Sequence, residues 1–231
     1  MKKQAVKPIA KRALLTFGVL AALMTGVTFA ADDPAELDAD TVEYDMNSGE
    51  VTASGNVLMK AGASRIAGQN AAYNTKTGQG TVTGSVIAER EGMRMTCSQL
   101  TVDGSDHYIA TGDVQGMRAD QSFSASQVEY FPSKQYVSMP SGGTLSSSEG
   151  TFTADALQGW LGESHYVGTG NAHIVSPPRD IEAGGDQFDY YGAGTGKAVL
   201  TGNAWAYQGN NTMHSNRLTI YLASDGQAKV Q

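Results

Sequence analysis

From residue 36 onward, apolar residues fall on alternate positions for short stretches, change phase and resume. Asp40 is followed by Val42 and Tyr44, Gln69 by Ala71 and Tyr73, Ser98 by Leu100 and Val102, and Ser126 by Val128 and Tyr130. The step continues with Asp155 and Leu157, Asp186 with Phe188 and Tyr190, and Asn216 with Leu218 and Ile220, the seventh copy being cut short by the chain end. Side chains two residues apart share one face of a β-strand, so each copy predicts a strand with one apolar face. Three residues before the anchors stands a second apolar set: Ile66, Met95, Phe123, Phe152 and Met213, with Ile181 shifted by a two-residue insertion in its copy. The two sets are an odd number of residues apart. Both can face one core only if a bulge or corner intervenes, and the small residues there (Ala39, Gly68, Cys97, Ala125, Ala154, Gly185, Ser215) suit a tight backbone.

A second signature keeps the same step. Ser54-Gly55-Asn56, Thr83-Gly84-Ser85, Thr111-Gly112-Asp113, Ser141-Gly142-Gly143, Thr169-Gly170-Asn171 and Thr201-Gly202-Asn203 place their first glycines 29, 28, 30, 28 and 32 residues apart. A period of this size marks a repeat architecture. Turn-forming runs such as Asp45 to Gly49, Asn74 to Gly78 and Gly192 to Gly196 separate the two signatures, so each copy reads as two strands and a turn. About thirteen or fourteen short strands, with no convincing helical periodicity, predict an all-β sandwich, roll or solenoid whose two end strands are open to pairing.

The first 30 residues follow a different plan. A basic stretch to Arg12 precedes an apolar run from Ala13 to Phe29 and the small pair Ala30-Ala31, the layout of a secretory signal peptide cleaved after Ala30. The run is short of the roughly 20 residues of a spanning helix and is interrupted by Thr16, Gly18, Thr25 and Gly26. Residues 31–231 are then expected to form one domain. Removing the leader's five positive charges from a net −7 takes the remainder to −12, which speaks against nucleic-acid partners and electrostatic membrane docking.

Candidate chemistry is sparse. There is no Gly-x-Ser-x-Gly elbow and no phosphate-cradling loop leading into a helix. His107 and His165 occupy equivalent repeat positions and His173 and His214 stand alone, so no metal set is expected. Cys97 has Ala, Gly and Ser as repeat equivalents and reads as a small buried residue; Asp40, Asp155 and Asp186 recur at one position and read as backbone caps. No catalytic residues, metal or cofactor are expected, and the chain reads as a non-enzyme.

The stretches Ala39 to Asp45, Val51 to Val57 and Gly196 to Ala204 resemble the repeats of the OstA-like LptA family of periplasmic lipopolysaccharide-transport proteins, and the similarity runs from 36 to 231. The resemblance implies a twisted β-jellyroll of about seven repeats of ~29 residues with open ends. It also implies a periplasmic location and lipopolysaccharide as cargo, with acyl chains in a hydrophobic groove. The matching lining positions are Leu37, Val42, Val57, Ile66, Val86, Met95, Leu100, Val114, Phe123, Val128, Phe152, Leu157, Ile174, Phe188 and Leu218. Its partners would be LptC-like and LptD-like proteins joined by end-to-end strand pairing, or further copies arranged head to tail, in a bridge from inner to outer membrane. The Ala30-Ala31 site favours a soluble bridge over an anchored member. Two other classes fit less: a secreted structural or adhesive β-solenoid with a dry core, and a polysaccharide-active enzyme, which would need acids converging in one cleft.

Overall fold

The computed structural model describes residues 35–90, 92–104, 106–192, 196–222 and 228–230; the expected signal peptide lies outside them. Among the described residues there are seventeen strands: β1 (Ala35–Asp38), β2 (Thr41–Asp45), β3 (Glu50–Ala61), β4 (Ser64–Asn74), β5 (Gly80–Arg90), β6 (Met93–Val102), β7 (Tyr108–Arg118), β8 (Gln121–Phe131), β9 (Tyr136–Met139), β10 (Gly143–Ser147), β11 (Gly150–Ala154), β12 (Ala156–Trp160), β13 (His165–Ser176), β14 (Ile181–Tyr191), β15 (Lys197–Gln208), β16 (Asn211–Leu222) and β17 (Ala228–Val230). No described helix is long and apolar enough to cross a membrane.

Every pairing among the described strands is antiparallel. β3 pairs with both β1 and β2, β8 with both β9 and β10, and β13 with both β11 and β12. Each of those pairs of short strands is thus one long strand broken at its midpoint, and the chain is a meander of bent two-strand repeats. The expected break appears as a register shift in the middle of each long pairing, between Ser54 and Val57, Ala67 and Asn70, Thr83 and Val86, and onward to Thr201 and Ala204. There the small residues meet the strand opposite: Gly68 faces Val57, Cys97 faces Val86 and Ala125 faces Val114.

The repeat glycines form these corners. Gly202 has φ +71° and Asn203 φ +49°, and the same left-handed pair recurs at Gly55 and Asn56, Gly84 and Ser85, Gly112 and Asp113, and Gly170 and Asn171. Glycine adopts that region freely and Asn or Asp tolerates it, which explains the residue types in the signature. A Cβ on Gly202 would also stand 2.3 Å from the Asp186 carboxylate.

The recurrent acids act differently from simple backbone caps. The Asn56 amide donates to Asp40 at 3.0 Å, Asn171 to Asp155 at 2.7 Å and Asn203 to Asp186 at 3.0 Å, while the Asp40 and Asp155 backbone N–H groups donate to the Gly55 and Gly170 carbonyls. The carboxylate therefore clamps the side chain of the left-handed residue across the corner.

The corners bend each strand, so that the continuous meander forms two facing sheets: one of the halves ending at the Asp45 to Gly49 type of turn, the other of the halves ending near Ala61 to Ser64. The Gly168 backbone, in the first sheet, lies so close to Phe152 in the second that a Cβ there would meet the ring at 2.4 Å. Phe152 pairs with Ile174, six residues along β13 from Gly168, which would be ~20 Å in a straight strand. The architecture is the twisted all-β jellyroll, with its core between the two sheets.

Candidate lipid-binding interior

In the first sheet, strand register lines up Val42, Ala53, Ala71, Val82, Leu100, Ala110 and Val128, and continues through Met139, Leu157, Gly168, Phe188 and Leu200 to Leu218. In the second, one row runs Leu37, Met59, Ile66, Ala88, Met95, Gly116 and Phe123, then Leu145, Phe152, Ile174, Ala183, Ala206 and Met213. Alternation along each strand and the corner between halves turn both rows inward. The result is an apolar interior that runs the length of the molecule.

Twelve of the fifteen expected lining residues are buried in this core: Val57, Ile66, Val86, Met95, Leu100, Val114, Phe123, Val128, Phe152, Leu157, Phe188 and Leu218. Leu37 and Ile174 are partly buried against it. Val42 is 47% exposed because it lies on β2, where no further described strand covers it; Tyr44, its neighbour on the same face, is 53% exposed. The interior thus comes to the surface at the β1 and β2 end.

Large and small side chains interlock across it, with Phe123 over Gly116 and Phe152 over Gly168. Within the second apolar set, Ile181 differs from the sequence expectation. Ile181 pairs with Ser176 and Gln208 at the tip of the sheet, and the row position is held by Ala183, three residues before Asp186; the extra residues sit in the Pro177–Arg179 turn.

At the tips of the first sheet the inward row is tyrosine-rich, with Tyr108 opposite Tyr130 and Tyr166 opposite Tyr190. Burial raises the pKa of Tyr108, Tyr130 and Tyr190 above the usual phenol value. The tips of the interior are therefore lined with buried, neutral phenols. Tyr108 and Tyr166 escape sequence reading because they precede the repeat glycine instead of following the anchor. Arg179 lies close enough to Tyr190 for its charge to pull that phenol's pKa down.

The remaining candidates are structural. Cys97 is buried and its thiol is pushed up to about 11 by desolvation, the opposite of a reactive cysteine. His107 and His165 each face a carboxylate, Glu129 at 3.1 Å and Asp189 at 3.4 Å. His173 and His214 do not stand alone: both flank Trp205 in one outward row. Among the described residues no three His, Cys, Asp or Glu side chains gather as a metal site requires.

The chain matches the family described as LptA/(LptD N-terminal domain) LPS transport protein over residues 36–159 and again over 107–226. Overlapping matches are what a repeated sequence allows. No curated protein matches it. Among solved structures it is similar to LptH, the LptA homologous periplasmic component of the lipopolysaccharide transport device of Pseudomonas aeruginosa, at 17% identity, over 45% of this chain and 80% of that one, with a TM-score of 0.41.

Proposed function

Because the chain belongs to the LptA/LptD N-terminal-domain family of lipopolysaccharide-transport proteins, we propose that it carries lipopolysaccharide through the periplasm with the acyl chains held between its two sheets. The observation supporting this most directly is the continuity of the apolar interior across the strand meander, since acyl chains need a long greasy track and no charge complementarity. The lining residues, from Leu37 and Val42 to Leu218, act passively. Cargo entering between the sheets displaces contacts that the sheets otherwise make with each other, and the flexible Met59, Met95 and Met213 suit such repacking.

The ends support a place in a bridge. Among the described residues, β1 and β2 pair only with β3, and β17 only with β16. An unpaired edge is a template for another strand, so β1 and β2 at one end and β17 at the other would join an LptC-like protein, an LptD-like protein or a further copy of this chain. Residues 1–30 would direct export and be removed, leaving 31–231 as the transported domain.

The test is photo-crosslinking in cells, with a photoreactive residue at Val57, Phe123 or Phe188 and at Lys76 as outward control. Lipopolysaccharide adducts at the three inward sites and none at Lys76 support the reading. Absence of adducts at inward sites of a folded, well-expressed protein would overturn it in favour of a dry structural solenoid.

A further inference from the structure

The outward side of the first sheet's tips carries a feature that core packing does not need. Six rings stand in one row on neighbouring strands: His107, Phe131, Tyr136, Trp160, His165 and Tyr191. Their successive centroids are 4.3, 5.9, 5.3, 5.1 and 4.5 Å apart. With strands ~4.8 Å apart, the row is ~24 Å long. It is half-buried for most of its length and ends on Tyr191, which is 43% exposed.

The same row exists in the first repeats with other chemistry. Asp45 pairs with Glu50, Glu50 with Asn74, the Gln79 carbonyl accepts from the Asn74 N–H, and the Gln79 amide donates to Asp103 at 2.7 Å. The Asp103 N–H donates to the His107 carbonyl, where the aromatic half begins. The fold therefore tolerates solvated acids and amides at this level, and six contiguous rings answer to something other than folding.

The surroundings narrow what that is. Beside the rings, on the same outward face, lie Glu129 and Asp189, each accepting from a neighbouring glutamine, Gln127 at 2.6 Å and Gln187 at 2.7 Å, and each facing a ladder histidine with its other oxygen, His107 at 3.1 Å and His165 at 3.4 Å. A carboxylate has about four acceptor sites, so each retains capacity for a further hydroxyl. Acids repel a phosphate, and polar groups interleaved with rings do not suit an acyl chain. Sugars satisfy both requirements, with C–H groups against aromatic rings and hydroxyls on carboxylates and amides.

The row's position identifies the sugar's source. Phe131 directly follows the inward Tyr130, and Tyr191 the inward Tyr190, so the ladder lies on the outer face of the wall whose inner face bounds the interior at the same level. We infer that the ladder from His107 to Tyr191 binds the saccharide part of the lipopolysaccharide whose acyl chains occupy the interior. The inference rests on the transport reading above. The protein would then hold its cargo at two places, by tail inside and by sugar outside.

Binding of three probes by the purified protein tests it: lipopolysaccharide with its core saccharide, a form truncated close to the lipid, and soluble cell-wall glycan fragments. The wild type is expected to prefer the sugar-bearing lipid by roughly tenfold, as one or two well-placed aromatic contacts would give. The triple variant Tyr136→Gln, Trp160→Gln, Tyr191→Gln should lose that preference while binding the truncated lipid as before, and Trp160→Tyr should keep most of it. If the triple variant does not fold, Tyr191→Gln alone, at the exposed end of the row, should lower the preference. A wild type that binds both lipids equally, a preference that survives in the variants, or ladder-dependent binding of wall glycan without lipid preference would overturn the inference and leave the transport reading standing. Failure to bind either lipid would overturn the transport reading itself.

Discussion

The rings of Phe152 and Phe188 meet at 4.8 Å between centroids, inclined by 52°, although their strands are not paired with each other. Phe152 belongs to the second sheet and Phe188 to the first, so this contact spans the interior. Phe188 pairs with Gly168, whose missing side chain makes room for Phe152.

That arrangement predicts a coupled pair of substitutions. Gly168→Ala puts a methyl against the Phe152 ring and should destabilise by about 1–3 kcal/mol. Phe152→Leu should cost about as much through the cavity it leaves. The double variant should cost clearly less than the two together, because the smaller side chain relieves the clash. Urea denaturation of the four proteins measures the coupling, and strict additivity would mean that the two sheets do not meet at this point.

The corners predict a different order of effects. At Asn171, φ is +47° and the side chain donates to Asp155 at 2.7 Å. Asn171→Ala loses the clamp and, with it, the polar side chain that lets Asn tolerate the left-handed region, for about 1–3 kcal/mol. Asn171→Gly loses the clamp but relaxes the backbone, so it should cost less than alanine. Denaturation midpoints of the two variants decide it, and the reverse order would show that the amide contributes little and the left-handed angle is not retained.

Much of this architecture is legible in the sequence, because local rules and tertiary structure agree. The Gly-Asn steps mark the corners, and the odd offset between apolar sets such as Ile66 and Ala71 requires the bulge that the register shift between Ala67 and Asn70 provides. Ile181 misleads because spacing rewards a large apolar residue, whereas the row position is taken by Ala183. The outward aromatic row is illegible for another reason. Its members keep fixed offsets, His107 and His165 five residues before Gly112 and Gly170, and Phe131, Trp160 and Tyr191 five residues after Ser126, Asp155 and Asp186, but the two groups belong to different signatures with turns of unequal length between them, and only cross-strand register brings them into one row.

Cys97 supplies a kinetic prediction. Desolvation raises its thiol from an ordinary value of 9.0 to about 11, which lowers the thiolate fraction at pH 8 about a hundredfold before any steric shielding. Alkylation by iodoacetamide should be at least that much slower in native protein than in urea. Equal rates would place the thiol at the surface.

Two neighbouring turns at the tip of the second sheet are tied by an ion pair whose removal has two separable effects. Arg179, with a side chain only 9% exposed, donates to Glu149 at 2.8 Å, and Ser176 donates to the Glu149 carbonyl at 2.7 Å. Arg179→Met strands a carboxylate that keeps partial access to water, and should cost about 2–3 kcal/mol; adding Glu149→Gln should recover part of that, since removing both charges is cheaper than removing one. The second effect appears at Tyr190. Burial raises its pKa and the Arg179 charge opposes that rise, so Arg179→Met should move the phenol's ionisation to still higher pH. A phenol whose folded pKa lies above its unfolded value of 10.0 contributes stability that is complete below pH 10 and declines as the pH rises past it. Ultraviolet titration of tyrosine ionisation in Arg179→Met, with Tyr190→Phe identifying the signal, reads this shift directly. A Tyr190 titration unchanged by the loss of Arg179 would mean that the second-sheet turn at Pro177–Arg179 does not reach the phenols of the first sheet.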